Sequence, residues 1–272
     1  MERKINTFGK IENKVYKEMF IPYTYNCDAH ANARLDWIFE VVQEAAASHS
    51  SILNCSIFDL NESGLTWVIS RENIEVYKYP KWREEVFVET WAEKPYRRVL
   101  VPRIIQGKNA DGEILFRSVT LWPIIDLKTN RPIEPSAMLE KIGIPEQTKQ
   151  VDFQIKKRDV IDDTNPLISK IVPRINYSDT DFNKHVNNIS YIRWTLQSMP
   201  NDFRDKYITT NIDVSWLKQT YLKDDVEIIT RSESPNAINE DNPTFIHQLV
   251  RVDENGDKKT VFEAKTCWEK RA

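Results

Sequence analysis

Two stretches of the chain place apolar residues at helical spacing. Leu35, Ile38, Phe39, Val42, Ala45 and Ala46 recur at i, i+3, i+4 and i+7, which predicts a helix from Leu35 to about Ser50, with Asn32 positioned to cap it. A second helix is predicted from Asn187 or Asn188, with Ile189, Ile192, Leu196 and Met199 on one stripe and Pro200 as its stop. Each is followed by runs rich in Val, Ile, Thr and aromatics that read as strands: Thr66–Tyr77, Glu85–Ala92, Arg97–Gly107 and Glu113–Asp126 after the first, and Tyr207–Gln219, Val226–Ser232, Thr244–Val252 and Lys259–Trp268 after the second. Asp111-Gly112 and Asn255-Gly256 lie between successive runs, where a tight hairpin needs residues that tolerate positive φ.

These features repeat in order. Ile74-Glu75-Val76 answers Ile212-Asp213-Val214, Glu85-Val86 answers Asp225-Val226, the two hairpin turns answer each other, and Trp122 answers Trp268. Two copies of one helix-plus-sheet unit follow, each a long helix wrapped by a curved antiparallel sheet. The fold class is therefore α+β, a tandem (double) hotdog: an N-terminal unit over 1–145, a charged, proline-broken linker over 146–170, and a C-terminal unit over 171–272.

Composition narrows the chemistry. With 40% hydrophobic residues the 272-residue chain can bury a core, and no apolar run approaches the roughly 18 residues that span a bilayer. The region from Met1 to Phe20 carries Glu2, Glu12 and Glu18 and lacks the apolar stretch of a secretion signal, which predicts a cytoplasmic protein. A net charge of −3 disfavours nucleic acid as a partner, since phosphate neutralisation needs a basic stripe. The 6 glycines form neither a dinucleotide-binding fingerprint nor a phosphate loop. Three cysteines without a short spacing and four histidines without a paired spacing predict neither disulfides nor a metal site, and no cofactor is expected.

One segment concentrates reactive groups just before the second helix: Asp181-Phe-Asn183-Lys-His185, followed by Val186-Asn187-Asn188. If the segment is extended, a spacing of two puts carboxylate, amide and imidazole on one side of the backbone, beside helix amides that can stabilise a developing oxyanion. The same composition also suits a solvated turn and cap, the role expected of Ser178 and Asp179. The other histidines suggest less. His30 follows Asp28 as a degenerate echo lacking the Asn, His49 sits near a helix end where the dipole favours it, and His247 alternates with apolar strand residues as a surface group.

The run from Ser178 to Trp194, on to Ser198-Met199-Pro200, resembles the second-half signature of the acyl-acyl-carrier-protein thioesterases. Trp67–Arg71, Ile74–Val76, Pro80-Lys81-Trp82 and Val86–Trp91 resemble their first half, and the resemblance covers about Asn13 to Glu269. It implies hydrolysis of fatty acyl-acyl carrier protein, ending fatty-acid synthesis, with Asp181, Asn183 and His185 catalytic. The family's further Glu falls on Gln219 and its neighbouring Cys on Thr220, which removes a carboxylate base and a thiol nucleophile there, while Gln219 stays in the expected catalytic set as an amide that holds a water or orients His185. An acyl tunnel in the first half is implied, for which Trp37, Phe39, Val42, Val68 and Trp91 are candidate lining residues and equally core residues. The carrier protein is acidic, so the local basic surplus of Lys94, Arg97, Arg98 and Arg103, with Lys78 and Lys81, marks a docking patch, or else a guarded sheet edge. An acyl-coenzyme A thioesterase and a non-catalytic acyl-thioester binder are the alternatives, and either a monomer or a homodimer fits two units in one chain.

Overall fold

A computed structural model of the chain describes residues 8–146, 164–252 and 255–271. They group into two compact units, one within Met1–Gln154 and one within Ile155–Ala272.

The first unit is built round α1 (Leu35–Ile52), whose apolar stripe is buried from Leu35 to Ala46. The strands are β1 (Lys10–Glu12), β2 (Val15–Phe20), β3 (Leu65–Trp67), β4 (Arg71–Val76), β5 (Val86–Ala92), β6 (Leu100–Lys108), β7 (Ile114–Asp126) and β8 (Arg131–Ile133). Six of them form an antiparallel sheet in the order β1-β2-β5-β6-β7-β4, while β3 and β8 pair with the far end of β7. Helix α1 packs on β2 and β5. Two short helices, α2 (Ile57–Glu62) and α3 (Ser136–Ile142), close one end over a cluster of Cys55, Leu60, Ala92, Val101, Ile124 and Ile142.

The second unit repeats the plan with a shorter helix. Its strands β9 (Leu167–Ile171), β10 (Tyr207–Trp216), β11 (Asp225–Ser232), β12 (Thr244–Val252) and β13 (Lys258–Lys270) lie in the order β10-β13-β12-β11-β9, all antiparallel. Helix α4 (Asn188–Gln197) ends well before Pro200, and Pro200 instead caps a further short helix, α5 (Asn201–Lys206). Phe203 of α5 stacks on Tyr207 with centroids 4.3 Å apart and meets Phe245 and Trp268 edge-on, an aromatic core for this half.

The hairpin glycines Gly112 and Gly256 take φ of 81° and 83°, as tight turns require. Other expectations change. Asn32 does not cap α1: Arg34 holds the cap position and makes no capping side-chain bond. The run Thr66–Tyr77 divides into β3 and β4. Residues 147–163 of the expected linker lie outside the described residues, but its end is no linker, because Leu167–Ile171 pairs with β11. The N-terminal hairpin β1-β2 has no counterpart among the expected strands; its VYKEMF run alternates too weakly to announce itself, yet Tyr16 is fully buried.

Candidate active site

The Asp-x-Asn-x-His segment is a tight turn and not an extended strand. Asp181 N–H donates to His185 O (2.9 Å) and Lys184 N–H to Asp181 O (3.0 Å), with Lys184 at φ 64°. The carboxylate organises this turn: Asp181 Oδ1 accepts the amides of Asn183 (2.8 Å) and His185 (3.3 Å). Asx turns of this kind are why Asp is favoured here. Asp181, Asn183 and His185 are half-buried, while Phe182 and Lys184 between them are exposed.

The turn is anchored from both sides. Val186 N–H donates to Thr220 O (2.8 Å) and Asn187 N–H to Asp179 O (2.7 Å). Asp179 also accepts from Asn176 N–H (2.8 Å) and from Ser190 Oγ of α4 (3.0 Å), which confirms it as a structural residue. Asn187 caps α4 through Oδ1, taking the Ile189 amide (2.9 Å), and Ser190 N–H bonds Asn187 O (3.0 Å). Two of the first helix amides are thereby occupied, which narrows the expected oxyanion donors to the start of the helix at Asn188.

His185 pairs by backbone with Tyr221, and the Tyr221 ring meets the imidazole edge-on with centroids 5.1 Å apart. The Tyr221 hydroxyl donates to Gln219 Oε1 (3.1 Å), and the Gln219 carbonyl accepts from Arg251 (3.3 Å). Gln219 is exposed, and Tyr221 links it to His185. Tyr221 was not among the expected site residues. Its signal is its place two residues after Gln219, the spacing that shares a side in extended chain. Thr220 is fully buried and gives its carbonyl to the turn. Burial pushes the Cys27 thiol up and the Cys55 thiol up to about 11, away from the reactive thiolate form.

The first unit contains the same turn. Asp28 Oδ1 accepts the amides of His30 (3.0 Å) and Asn32 (3.0 Å), Asp28 N–H donates to Asn32 O (2.8 Å), and Ala31 has φ 57°. The echo does not lack an Asn: the order is Asp28-x-His30-x-Asn32, with amide and imidazole exchanged, and His30 points outward as an exposed residue.

The remaining expected residues separate. Trp37, Phe39 and Val42 are buried on α1, and Val68 and Trp91 are half-buried, the Trp91 indole donating to Glu93 (2.8 Å). Lys94, Arg97 and Arg98 are exposed, with both arginines in left-handed backbone (φ 48° and 68°) at the tip of the loop joining β5 to β6. Arg103 leaves the docking set: it is 6% exposed, and its Nη1 donates to His49 Nδ1 (2.9 Å). His49 makes no dipole contact as a cation; burial and Arg103 hold its pKa down to about 3. His247 is not a surface group either, being fully buried between Thr230 Oγ1 (2.9 Å) and Thr266 Oγ1 (2.8 Å), with burial holding its pKa down to about 3. Among the described residues no group of three His, Cys, Asp or Glu could hold a metal, and no helix is long and apolar enough to cross a membrane.

Comparison with known proteins converges on one family. Residues 13–140 match the acyl-ACP thioesterase N-terminal domain and residues 162–270 its C-terminal domain. Oleoyl-acyl carrier protein thioesterase 2, chloroplastic, of Arabidopsis thaliana is 26% identical over 97% of this chain and 80% of its own length. In three dimensions the chain resembles the 12:0-ACP thioesterase from Umbellularia californica (TM-score 0.80, 18% identity, 96% of this chain and 100% of that one). An acyl-ACP thioesterase from Bacteroides thetaiotaomicron is similar as well (TM-score 0.76, 23% identity, 94% and 98% covered), and these likenesses establish the double hotdog fold.

Proposed function

The chain belongs to the acyl-ACP thioesterase family, and from that premise we propose that it releases fatty acid from acyl carrier protein, ending fatty-acid synthesis, with the 181–185 turn as its catalytic centre. The observation that supports this reading is the turn itself, which gathers a half-buried carboxylate, amide and imidazole into five residues just before α4.

In the proposed mechanism His185 takes a proton from water as the water oxygen bonds to the thioester carbonyl carbon. Tyr221 fixes the imidazole plane. Asp181 spends Oδ1 on the turn, and its second oxygen supports the imidazolium that forms. Asn183 orients the carbonyl or the water, and the amide entering α4 faces the oxyanion. Collapse of the tetrahedral species breaks the carbon–sulfur bond, and the imidazolium proton goes to the departing thiolate, leaving free fatty acid and the carrier's thiol. No cysteine takes part.

The acyl chain is proposed to lie in the first unit beside Trp37, Phe39, Val42, Val68 and Trp91. Lys94, Arg97 and Arg98 are proposed to meet the acidic carrier. Left-handed backbone at two successive arginines costs on the order of 1 kcal/mol each, a strain that functional loops retain. Changing Arg97 and Arg98 to Glu tests this: hydrolysis of the carrier-linked substrate falls while that of the matched coenzyme A thioester does not, and equal loss on both rejects the patch. The same matched pair in the unaltered chain separates the proposed activity from an acyl-coenzyme A thioesterase. A cytoplasmic location belongs to the same proposal, whereas the Arabidopsis relative is chloroplastic.

A further inference from the structure

Pairing registers let the two sheets be compared position by position. In the first unit Ala92, Arg103, Thr120 and Glu72 lie directly opposite one another across β5, β6, β7 and β4. In the second, the row across β11, β12, β13 and β10 is Ser232, Phe245, Thr266 and Ile212. The two rows correspond, since in both a Trp two residues after the Thr donates to it, Trp122 to Thr120 (2.7 Å) and Trp268 to Thr266 (2.8 Å), and this register sets Glu72, not Ile74 as the sequence repeat suggested, against Ile212. Residues directly opposite share a face. Where the second unit puts Phe245 and Ile212 on this face, the first puts a guanidinium and a carboxyl.

The face is the one α1 covers, because Arg103 bonds His49 of that helix. Glu72 and Arg103 are 3% and 6% exposed, and among the described residues neither belongs to an ion pair. Two strand spacings hold their backbones about 10 Å apart. Burying such groups unpaired is costly, and the second unit builds the same face without them.

The hydrogen-bonding sense of the cluster is one-sided. Arginine only donates, so His49 Nδ1 must accept and His49 Nε2 must carry the hydrogen. That N–H is buried without an acceptor. The Glu72 carboxyl accepts from Ser118 Oγ (3.0 Å), and burial lifts its pKa to about 8. Arg103 Nη1 also reaches Thr90 Oγ1 (3.4 Å), so the donor left without an acceptor oxygen is His49 Nε2, beside a guanidinium and a carboxyl that carry no ion pair among the described residues.

We propose that Arg103, His49 and Glu72 form a polar subsite under α1 that binds a hydroxyl or oxo oxygen on the acyl chain, making oxygenated acyl thioesters the preferred substrates of this chain. The inference rests on the proposed function, in which the first unit receives the acyl chain.

The test is steady-state kinetics of the full chain on carrier-linked acyl groups of matched length, plain or bearing one hydroxyl or oxo group at successive positions. At one position the oxygenated substrate is expected to exceed its plain counterpart more than tenfold in kcat/KM, through KM. Arg103→Met is expected to bring that ratio to about one, and Glu72→Gln, which keeps size and a hydrogen-bonding end, to lower it severalfold. A preference for the plain chain at every position overturns the subsite. So does an equal loss on both substrates in Arg103→Met, or a shift of that variant to longer chains with the ratio unmoved. If Arg103→Met does not fold, Glu72→Gln and His49→Gln carry the same readout. Should the unaltered chain hydrolyse no acyl-carrier substrate, the proposed function fails and the subsite is read from binding instead. A mid-chain hydroxy fatty acid then raises Tm more than the plain acid of equal length, or, with equal shifts, the subsite fails too.

Discussion

The two Asp-led turns are the same piece of backbone used for different ends. Asp28 and Asp181 each accept the amides two and four residues on, each turn carries one left-handed residue, and each is followed by a long helix. Even the facing strand connection matches: Ala33 N–H bonds Pro80 O (2.7 Å) where Val186 N–H bonds Thr220 O. What differs is the occupant of each position. The first turn has an exposed His30, a buried Asn32 and Lys81 paired to it; the second has Asn183, His185 and Tyr221. An aspartate in such a turn is thus a structural requirement first. The second turn differs in setting a half-buried imidazole edge-on against an aromatic ring, and the proposed catalytic role rests on that difference.

The largest effect that would break this comparison is loss of the imidazole. His185→Ala is expected to cut hydrolysis about 10²–10⁴-fold, the usual worth of a general base. Asp181→Asn keeps an oxygen for both amides and should cost more than tenfold with Tm unmoved, whereas Asp28→Asn should leave turnover near normal. Equal loss from both aspartates, measured side by side, would erase the distinction between the turns. Giving the second turn the order of the first, by Asn183→His with His185→Asn, should likewise cost more than tenfold while circular dichroism stays that of the parent.

Next comes the pair of buried histidines, one in each unit. His49 and His247 stay neutral in the fold with pKa near 3, while in the unfolded chain each titrates near 6.5. Their contribution is complete above pH 6.5 and is lost as pH falls toward 3, by about 2 kcal/mol for each at pH 5. Glu72 acts in the opposite sense, its contribution present below pH 4.5 and lost as pH rises to about 8. The readout is therefore a difference: in urea titrations His247→Gln should lose about 2 kcal/mol less than the parent between pH 7 and pH 5. A parallel pH dependence would mean that His247 is not the neutral bridge between Thr230 and Thr266.

Smaller effects sharpen the comparison. Asp28→Ala removes the acceptor for two amides, as loss of a cap does, and should cost about 1 kcal/mol, a Tm drop of roughly 2–4 °C, with hydrolysis kept. Tyr221→Phe retains the ring against His185 and loses only the bond to Gln219, so turnover should change less than threefold. A tenfold fall there would make Gln219 part of the chemistry after all.

Much of the fold was legible because its signals are local. The stripe Leu35 to Ala46, the glycine hairpins and the repeated strand runs follow from backbone geometry and periodicity within a few residues. The sequence places Asp181, Asn183 and His185 in one segment, but the extended backbone expected from their spacing is an Asx turn in the structure. The hairpin β1-β2, the short helices and strand β9 were not legible, since they are held by neighbours distant in sequence, as Lys10–Glu12 is by Val15–Lys17 and β2 by β5.

The sequence by itself determined where the two long helices run, which glycines close the hairpins, and that Asp181, Asn183 and His185 share one short segment before the second helix, because dihedral preference and periodicity act over a handful of residues. Only the tertiary structure decided the fate of Arg103, Glu72, His49 and His247. Whether a charged or imidazole side chain on a strand or helix meets water or the interior depends on which remote segment covers that face, and that covering sets both its charge and the partner it requires.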